Sequence, residues 1–330
     1  MQFLALAFAS LSLIPSLAAK QPAVRPAAGV SPLRYTLKQG ESLRYSLTAD
    51  VHGSVPILDS PTPTDLNATV KIVYVATPKT KLADGTMDVE FKVETAELEI
   101  EKIPFPIPDE QAQQILNQTV SLLDTGEVKK VQAGAPLPFG VSIPGVDPKR
   151  LYALIFPIVF PEKSVKPGDK WTFKSELLGG QGTTPVFTAT LLDENAAKSG
   201  AKTSTSASKP KTPAGGGVFH VKQDFKMGVD QKLDKDKKPV KDGASPQYTR
   251  QGKIEGSGVF EFDQVKGRMS SGEVTIKADV NQDLIGKPAT DDEPKRLTSK
   301  VEAKVRVQLE PAKPVAATKE LKTEAKKEKP

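Results

Sequence analysis

From Leu297 to Leu309 apolar and polar residues alternate without a fault. Leu297, Ser299, Val301, Ala303, Val305, Val307 and Leu309 share one face, and charged or polar residues hold the other. A period of two marks a strand with one greasy and one wet side, the signature of an antiparallel sheet. At about 3.3 Å per residue the run reaches roughly 43 Å, far above the usual strand. In "MDVEFKVETAELEIEKI", Met87, Val89, Phe91 and Val93 alternate with Asp88, Glu90, Lys92 and Glu94, and then the apolar phase slips to Ala96, Leu98 and Ile100. A period of two slips only where an extra residue is absorbed, so a β-bulge is predicted near Thr95 or Ala96.

The same rule reads strands elsewhere. Leu33, Tyr35 and Leu37 alternate, "KQGE" turns, and Leu43, Tyr45 and Leu47 alternate again; Val70, Ile72 and Tyr74 mark the next strand, and Asp84-Gly85 a hairpin. "PILDSPTPTD" reads as a loop, and a short strand follows "TGEV". Later strands are predicted in "KWTF", "TPVFTATLLD", "VFHVKQDFKMGV", and in two long ribbons joined around Lys266-Gly267. Two short helices interrupt this pattern. One covers "PDEQAQQILNQTVSLLD", with Asp109 capping and Ala112, Ile115, Leu116, Val120 and Leu123 at helical spacing; the other covers "GVDPKRLYALIF", with Asp147 as N-cap, Pro148 at the first position and Pro157 as stop.

Two phrases echo each other. "LKQGESLRY" (Leu37–Tyr45) and "VKPGDKWTF" (Val165–Phe173) share apolar, Lys, any, Gly, acid, any, bulky apolar, polar, aromatic. Each reads as a Gly-acid turn that opens a strand. The fold class expected is mainly β (α+β): long antiparallel curved sheets, as two similar β-lobes, two halves of one sheet or a half-barrel, with the two apolar helices as plug or lid. Strands this long coil too strongly for a small flat sandwich. On the strand "GKIEGSGVFEFD", Gly252, Gly256 and Gly258 share a face with Ile254, Phe260 and Phe262. Missing side chains there leave room for a ligand or let the strand coil, and coiling is the simpler reading. The run "LYALIFPIVF" reads as a buried helix first and as ligand lining second. The candidate apolar-ligand lining is Leu151, Leu154, Ile155, Phe156, Ile254, Phe260 and Phe262.

Composition adds limits to this picture. The chain has 330 residues and no cysteine, which excludes disulfides, thiolate metal sites and a Cys nucleophile. "MQFLALAFASLSLIPSLAA" reads as a secretory signal over 1–19, and no later stretch is apolar enough to cross a bilayer. A Pro/Ala-rich leader (20–31), a first β-rich half with both helices (32–160), a second β-rich half (161–311) with flexible loops at 195–217 and 230–247, and a Lys-rich disordered tail (312–330) follow. The net charge of +6 is concentrated: eleven Lys and five Asp fall between 198 and 242, and six Lys and three Glu between 313 and 330. The remainder is net acidic, so no ordered basic face and no nucleic-acid partner is implied.

Chemistry-bearing patterns are sparse. His52, in a predicted turn, and His220, in a predicted strand, are the two histidines, and "GVSIPG" around Ser142 lacks the glycine placement of a nucleophile elbow. Glu94, Glu97, Glu99, Glu101, Glu261 and Asp263 could supply a carboxylate pair, but most hold the wet phase of an alternating strand. Asp234 and Asp236 start a Ca²⁺-like spacing that Lys238 ends, and no phosphate or dinucleotide loop is present. "NAT" at Asn67 and "NQT" at Asn117 are glycosylation sequons. No catalytic residue, metal or cofactor is assigned.

"PEKSVKPGDKWTFKSEL" (Pro161–Leu177) resembles a family of exported bacterial β-proteins in which a phrase of the type P-x-x-x-V-x-x-G-D-x-W opens a strand. "YTLKQGESLRYSLT" and "GSGVFEFDQVKGRM" are similar to that family in style. The resemblance implies an exported, envelope-associated, non-enzymatic protein and carries no catalytic residue over. Three functions are therefore expected, in this order. The first is a non-catalytic periplasmic, envelope-associated or secreted binding or scaffold protein with an envelope-protein partner. The second is a carrier of a lipid or other apolar ligand in a β half-barrel, and the third a carboxylate-based hydrolase.

Overall fold

The computed structural model describes residues 32–55, 63–132, 150, 152–175, 185–192, 217–234, 240, 245–286 and 295–311. The signal, the leader, the tail, Asp147, Pro148, Ser142, Leu151, the Lys-rich segment up to 216 and most of the Ca²⁺-like loop lie outside these residues.

The alternating segments form one open, curved, antiparallel sheet. Its first run comprises β1 (Leu43–Val55), β2 (Thr64–Lys81), β3 (Met87–Ile100), β4 (Ile103–Phe105), β5 (Gln118–Leu122) and β6 (Val128–Gln132). Its second comprises β7 (Lys170–Lys174), β8 (Val186–Leu191), β9 (Val218–Leu233), β10 (Tyr248–Asp263), β11 (Arg268–Leu284) and β12 (Arg296–Leu309). The order across the sheet is β6-β5-β3-β2-β1-β12-β11-β10-β9-β8-β7, with β4 on β3. Each run is a meander. The two meet at the centre, where β1 pairs with β12 from Tyr45–Leu309 to Ser54–Lys300. The connection from β6 to β7 returns the chain from one free edge to the other.

Inward positions repeat every second residue, and β12 keeps the predicted phase: Leu297, Ser299, Val301, Ala303, Val305 and Val307 are buried. The predicted bulge exists one residue earlier than expected. Val73 pairs Thr95 and Tyr74 pairs Val93, so Glu94 is the extra residue. Deleting Glu94 keeps every other pair in register and is expected to cost about 1 kcal/mol. Deleting Val93 instead turns Glu94 inward opposite Tyr74 and is expected to cost more than about 3 kcal/mol. Urea midpoints compare the two, and equal losses would place the bulge elsewhere.

The inward glycines of β10 serve curvature. A Cβ at Gly252 would overlap Asp279 O, one at Gly258 would lie 2.6 Å from Glu273 O, and the space beside Gly256 is taken by the Phe225 ring. The gaps are filled by β11 backbone and a β9 side chain.

The repeated phrase builds the same local structure twice. Glu41 N donates to Lys38 O and Asp169 N to Lys166 O, both at 3.0 Å. Gly40 (φ 77°) and Gly168 (φ 89°) hold the left-handed corner that such a turn demands. Each glycine N–H then reaches the end of the neighbouring strand, Gly40 to Pro78 O at 2.8 Å and Gly168 to Leu191 O at 2.7 Å. One copy opens a central strand and the other an edge strand.

Several expectations need correction. α1 (Asp109–Leu116) ends before Asn117, and Gln118–Leu122 is β5. Pro108, not Asp109, is the N-cap, and no side chain caps it. Ile115, Leu116, Val120 and Leu123 fit a helical spacing, but Gln118, Val120 and Leu122 also fit a period of two, and pairing with β3 decides. Leu33–Leu37 is extended but joins no strand, because Tyr35 N and Thr36 N bond to turns at Asp124 O and Gly267 O. His52 lies in β1, not in a turn, and residues 230–233, expected to start a charged loop, are the end of β9.

Candidate functional site

The inner face is mostly apolar, and most of its buried apolar residues form a single contiguous core. At the end of the sheet carrying the β5–β6 and β10–β11 turns, that face is closed by two segments. One is 33–37. The other is α2 (Tyr152–Ile155) with the following 156–162. All four α2 side chains are buried. Pro157 stops the helix, and the irregular backbone beyond must find partners for its carbonyls. Five side-chain hydrogen bonds supply them. Gln223 Nε2 donates to Pro157 O (3.2 Å), Tyr35 Oη to Ile158 O (3.2 Å) and Trp171 Nε1 to Val159 O (2.8 Å). Arg34 donates to Pro161 O (2.8 Å) and Glu162 O (2.9 Å).

Aromatic rings fill the space between. Tyr35 lies 5.1 Å from Phe156, 5.4 Å from Phe160 and 5.3 Å from Phe262. Phe160 lies 4.7 Å from Phe262 and 6.3 Å from Trp171. Phe91 lies 6.4 Å from Tyr152 and 6.0 Å from Phe156. Of the predicted lining, Leu154, Ile155, Phe156, Phe260 and Phe262 are buried near this plug, and Ile254 is buried further along β10. Tyr35 and Phe160 join Phe156 to Phe262, a link no local pattern announced.

The opposite end of the same face opens. Two inward rows cross β2, β3 and β4: Val70–Leu98–Phe105 and Ala68–Ile100–Ile103. Exposure rises along them from Ala68, which is buried, to Ile103 at 62% and Phe105 at 48%. The β3–β4 turn places Glu101 (φ 50°) and Lys102 (φ 64°) in the left-handed region, at roughly 1–2 kcal/mol each. The pair beside Ile100–Ile103 in such a two-residue hairpin is not hydrogen-bonded. The Pro104 nitrogen therefore faces the free edge and blunts it. On the far flank, Arg250 is partly buried between Gln231 and Gln282 in register, donates to Gln282 Oε1 at 3.1 Å, and has its pKa pulled down by burial.

Titratable groups favour the outer face. Arg306 bridges Glu273 (3.0 Å) and Asp50 (2.9 Å), Lys304 meets Glu273 (2.9 Å) and Lys277 meets Glu302 (3.1 Å). Of the six candidate carboxylates, Glu94 pairs with Arg44, Glu97 and Glu99 with Lys71, and Asp263 with Lys266, while Glu101 sits in the exposed hairpin turn. Arg44 also pairs with Glu310.

Glu261 lies between His220 Nε2 (3.4 Å) and Ser271 Oγ (2.7 Å). The order is Ser–Glu–His, with the carboxylate in the middle, so the hydroxyl bonds to the carboxylate and not to the imidazole. The His220 contact, with hydrogen bonds from Ser271 and Ser270, holds the Glu261 carboxyl below its ordinary value against the opposing effect of burial. A carboxyl lowered by folding stabilises the fold above its unfolded pKa, and that gain is lost as pH falls through the lower folded value. Glu261→Gln is therefore expected to flatten the fall in urea midpoint between about pH 5 and about pH 2. Parallel profiles for variant and wild type would remove the effect.

Among the described residues no group of three His, Asp or Glu side chains could hold a metal ion, and no helix is long and apolar enough to cross a membrane.

No family model matches the chain, and no curated protein does. Among solved structures, the chain is similar to one described as lipid–protein interactions in lipovitellin, at 10% identity and a TM-score of 0.41, over 84% of this chain and 26% of that chain. It therefore spans about a quarter of the lipovitellin chain. A second similar structure is DynF from the dynemicin biosynthesis pathway of Micromonospora chersina, at 8% identity and a TM-score of 0.19, over 84% of this chain and 85% of that chain.

Proposed function

We propose that this is an exported, non-catalytic binding protein, periplasmic, envelope-associated or secreted, and that it binds through the inner face of its sheet. The observation that carries this reading is the division of the sheet. Many outer-face charges are engaged in cross-strand pairs, and the inner face is mostly apolar from the plug to the open β2–β3–β4 corner. The export signal and the resemblance noted for Pro161–Leu177 support the location. A scaffold holding an envelope protein uses the same division.

A carrier of a lipid or other apolar molecule is a more specific reading, and one feature favours it. Ile103 and Phe105 extend the core rows outward and stay largely exposed. Covering such side chains contributes about 1.5–3 kcal/mol each. Native mass spectrometry of the purified full chain, with organic extraction, tests the two together. A co-purifying apolar molecule released by solvent supports the carrier. A ligand-free mass, with an envelope protein retained in pull-down, supports the scaffold. A clean mass with no retained partner removes both.

A further inference from the structure

Among the described residues, Tyr74 and Gln118 are buried inner-face side chains whose polar atoms all lack a hydrogen-bond partner. Tyr74 on β2 is 1% exposed and its hydroxyl has no hydrogen-bond partner. Gln118 on β5 is 6% exposed, and neither its Oε1 nor its Nε2 has one. Their neighbours show that the groups are not starved of partners by chance of position. The Tyr35 hydroxyl donates to Ile158 O and the Tyr45 hydroxyl to Met269 O, each at 3.2 Å. A buried polar side chain without a partner costs about 1–3 kcal/mol and is rare in native folds.

The register sets the two on either side of β3. Gln118 stands directly opposite Phe91, and Tyr74 opposite Val93, two residues further along β3. Both thus flank Phe91 on the inner face, within the reach of directly opposed and diagonal neighbours. The Phe91 ring carries α2 above it, through Tyr152 and Phe156. Together the orphaned groups offer donors and acceptors within a mostly apolar stretch of that face. Burial raises the Tyr74 pKa, so its hydroxyl stays protonated and uncharged, and the Gln118 amide carries no charge. An ionised ligand group would find no counter-charge there, and its desolvation would be uncompensated.

We infer that Tyr74 and Gln118 form the polar end of the apolar-ligand site and take the uncharged hydroxyl-bearing head of a lipid-like molecule. This rests on the carrier reading and names its ligand class. One hydroxyl of the head donates to Gln118 Oε1 or accepts from Gln118 Nε2, and a second exchanges a hydrogen bond with Tyr74 Oη across Phe91. The atoms are closed off from solvent, so binding is coupled to a shift of α2. The plug that α2 begins is held by Trp171 through Val159 O at 2.8 Å.

The full-length protein is titrated with 1-monooleoylglycerol, oleate and 1-octadecene, with native mass spectrometry and Trp171 fluorescence as readouts. Monooleoylglycerol is expected to bind most tightly and to change the fluorescence. Tyr74→Phe and Gln118→Leu are each expected to weaken it roughly 3- to 10-fold, one hydrogen bond's worth. Octadecene binding stays unchanged, and thermal unfolding is unchanged or raised. If Gln118→Leu does not fold, Gln118→Met, of similar volume, replaces it. Unaltered monooleoylglycerol binding in both variants would mean the groups are merely orphaned or hold water, which overturns the site but not the carrier. A preference for oleate overturns the site as well. A wild type that binds none of the three removes the carrier reading itself.

Discussion

Phe262→Ala is expected to lower stability by about 3–5 kcal/mol, as for other fully buried aromatic truncations. The ring projects from β10 into the space where both plug segments meet, 5.3 Å from Tyr35 and 4.7 Å from Phe160. It is 1% exposed, and backbone carbonyls fixed by Tyr35, Gln223 and Trp171 limit how far 157–159 can collapse into a void. Cavity cost is greatest where neighbours cannot relax. Equilibrium urea unfolding gives the number. Adding Phe160→Ala in a double-mutant cycle is expected to show a coupling of about 0.5–1.5 kcal/mol, the value of a close aromatic pair. A loss below about 1 kcal/mol for Phe262→Ala would mean that the plug does not rest on this ring.

Among the substitutions, Gly126→Ala has the second largest expected effect, about 2–4 kcal/mol. Gly126, in the β5–β6 turn, has φ 91°, and a Cβ there would stand 2.5 Å from Ile158 O and 2.6 Å from the Tyr35 ring. Two costs combine, a left-handed backbone forced on alanine and a collision with both plug segments at once. Gly85→Ala separates them. Gly85 has a similar φ of 86° with nothing near its Cβ direction, so it is expected to lose only about 1–2 kcal/mol. The chain's single tryptophan reports the difference. Its indole N–H holds Val159 O, so undocking of the plug should shift Trp171 emission to the red in Gly126→Ala and leave it unmoved in Gly85→Ala. Equal stability losses and unchanged emission in both variants would show that Gly126 is a turn glycine and nothing more.

How much of this was readable in the sequence depended on the range of the deciding interaction. The even-odd pattern of 297–309 and the slip after Val93 are local, and they predicted β12 and the β3 bulge to within a residue. The paired "KQGE" and "KPGD" turns were also local. The segment 118–122 was not, because Gln118, Val120 and Leu122 fit a strand and Leu116, Val120 and Leu123 a helix equally well. Pairing with β3 decided, and β3 lies some thirty residues upstream. Leu33, Tyr35 and Leu37 alternate like a strand but bond to turns near 124 and 267, partners that no window on the sequence contains.

The same limit applies to the site. "LYALIFPIVF" announced a buried run, and the glycines on β10 a bent strand, without saying that Phe225 fills the gap at Gly256. Tyr74 was legible as inward-facing. Gln118 carried one available signal, a polar residue in phase with Val120 and Leu122, and it was obscured by the helical reading of its segment.

The junction of β1 with β12 has a consequence for how the molecule comes into being. Each meander can assemble from neighbours in the chain, but the seam between them joins partners more than two hundred residues apart, such as Tyr45 with Leu309. Closing so long a loop is slow, and until it happens β1 and β12 each present a bare, sticky border. A ribosome must therefore deliver residue 309 before the seam can form, and a chain interrupted before Arg296 would yield two half-sheets prone to clump. Such a protein has reason to stay in the care of a chaperone until its last ribbon arrives.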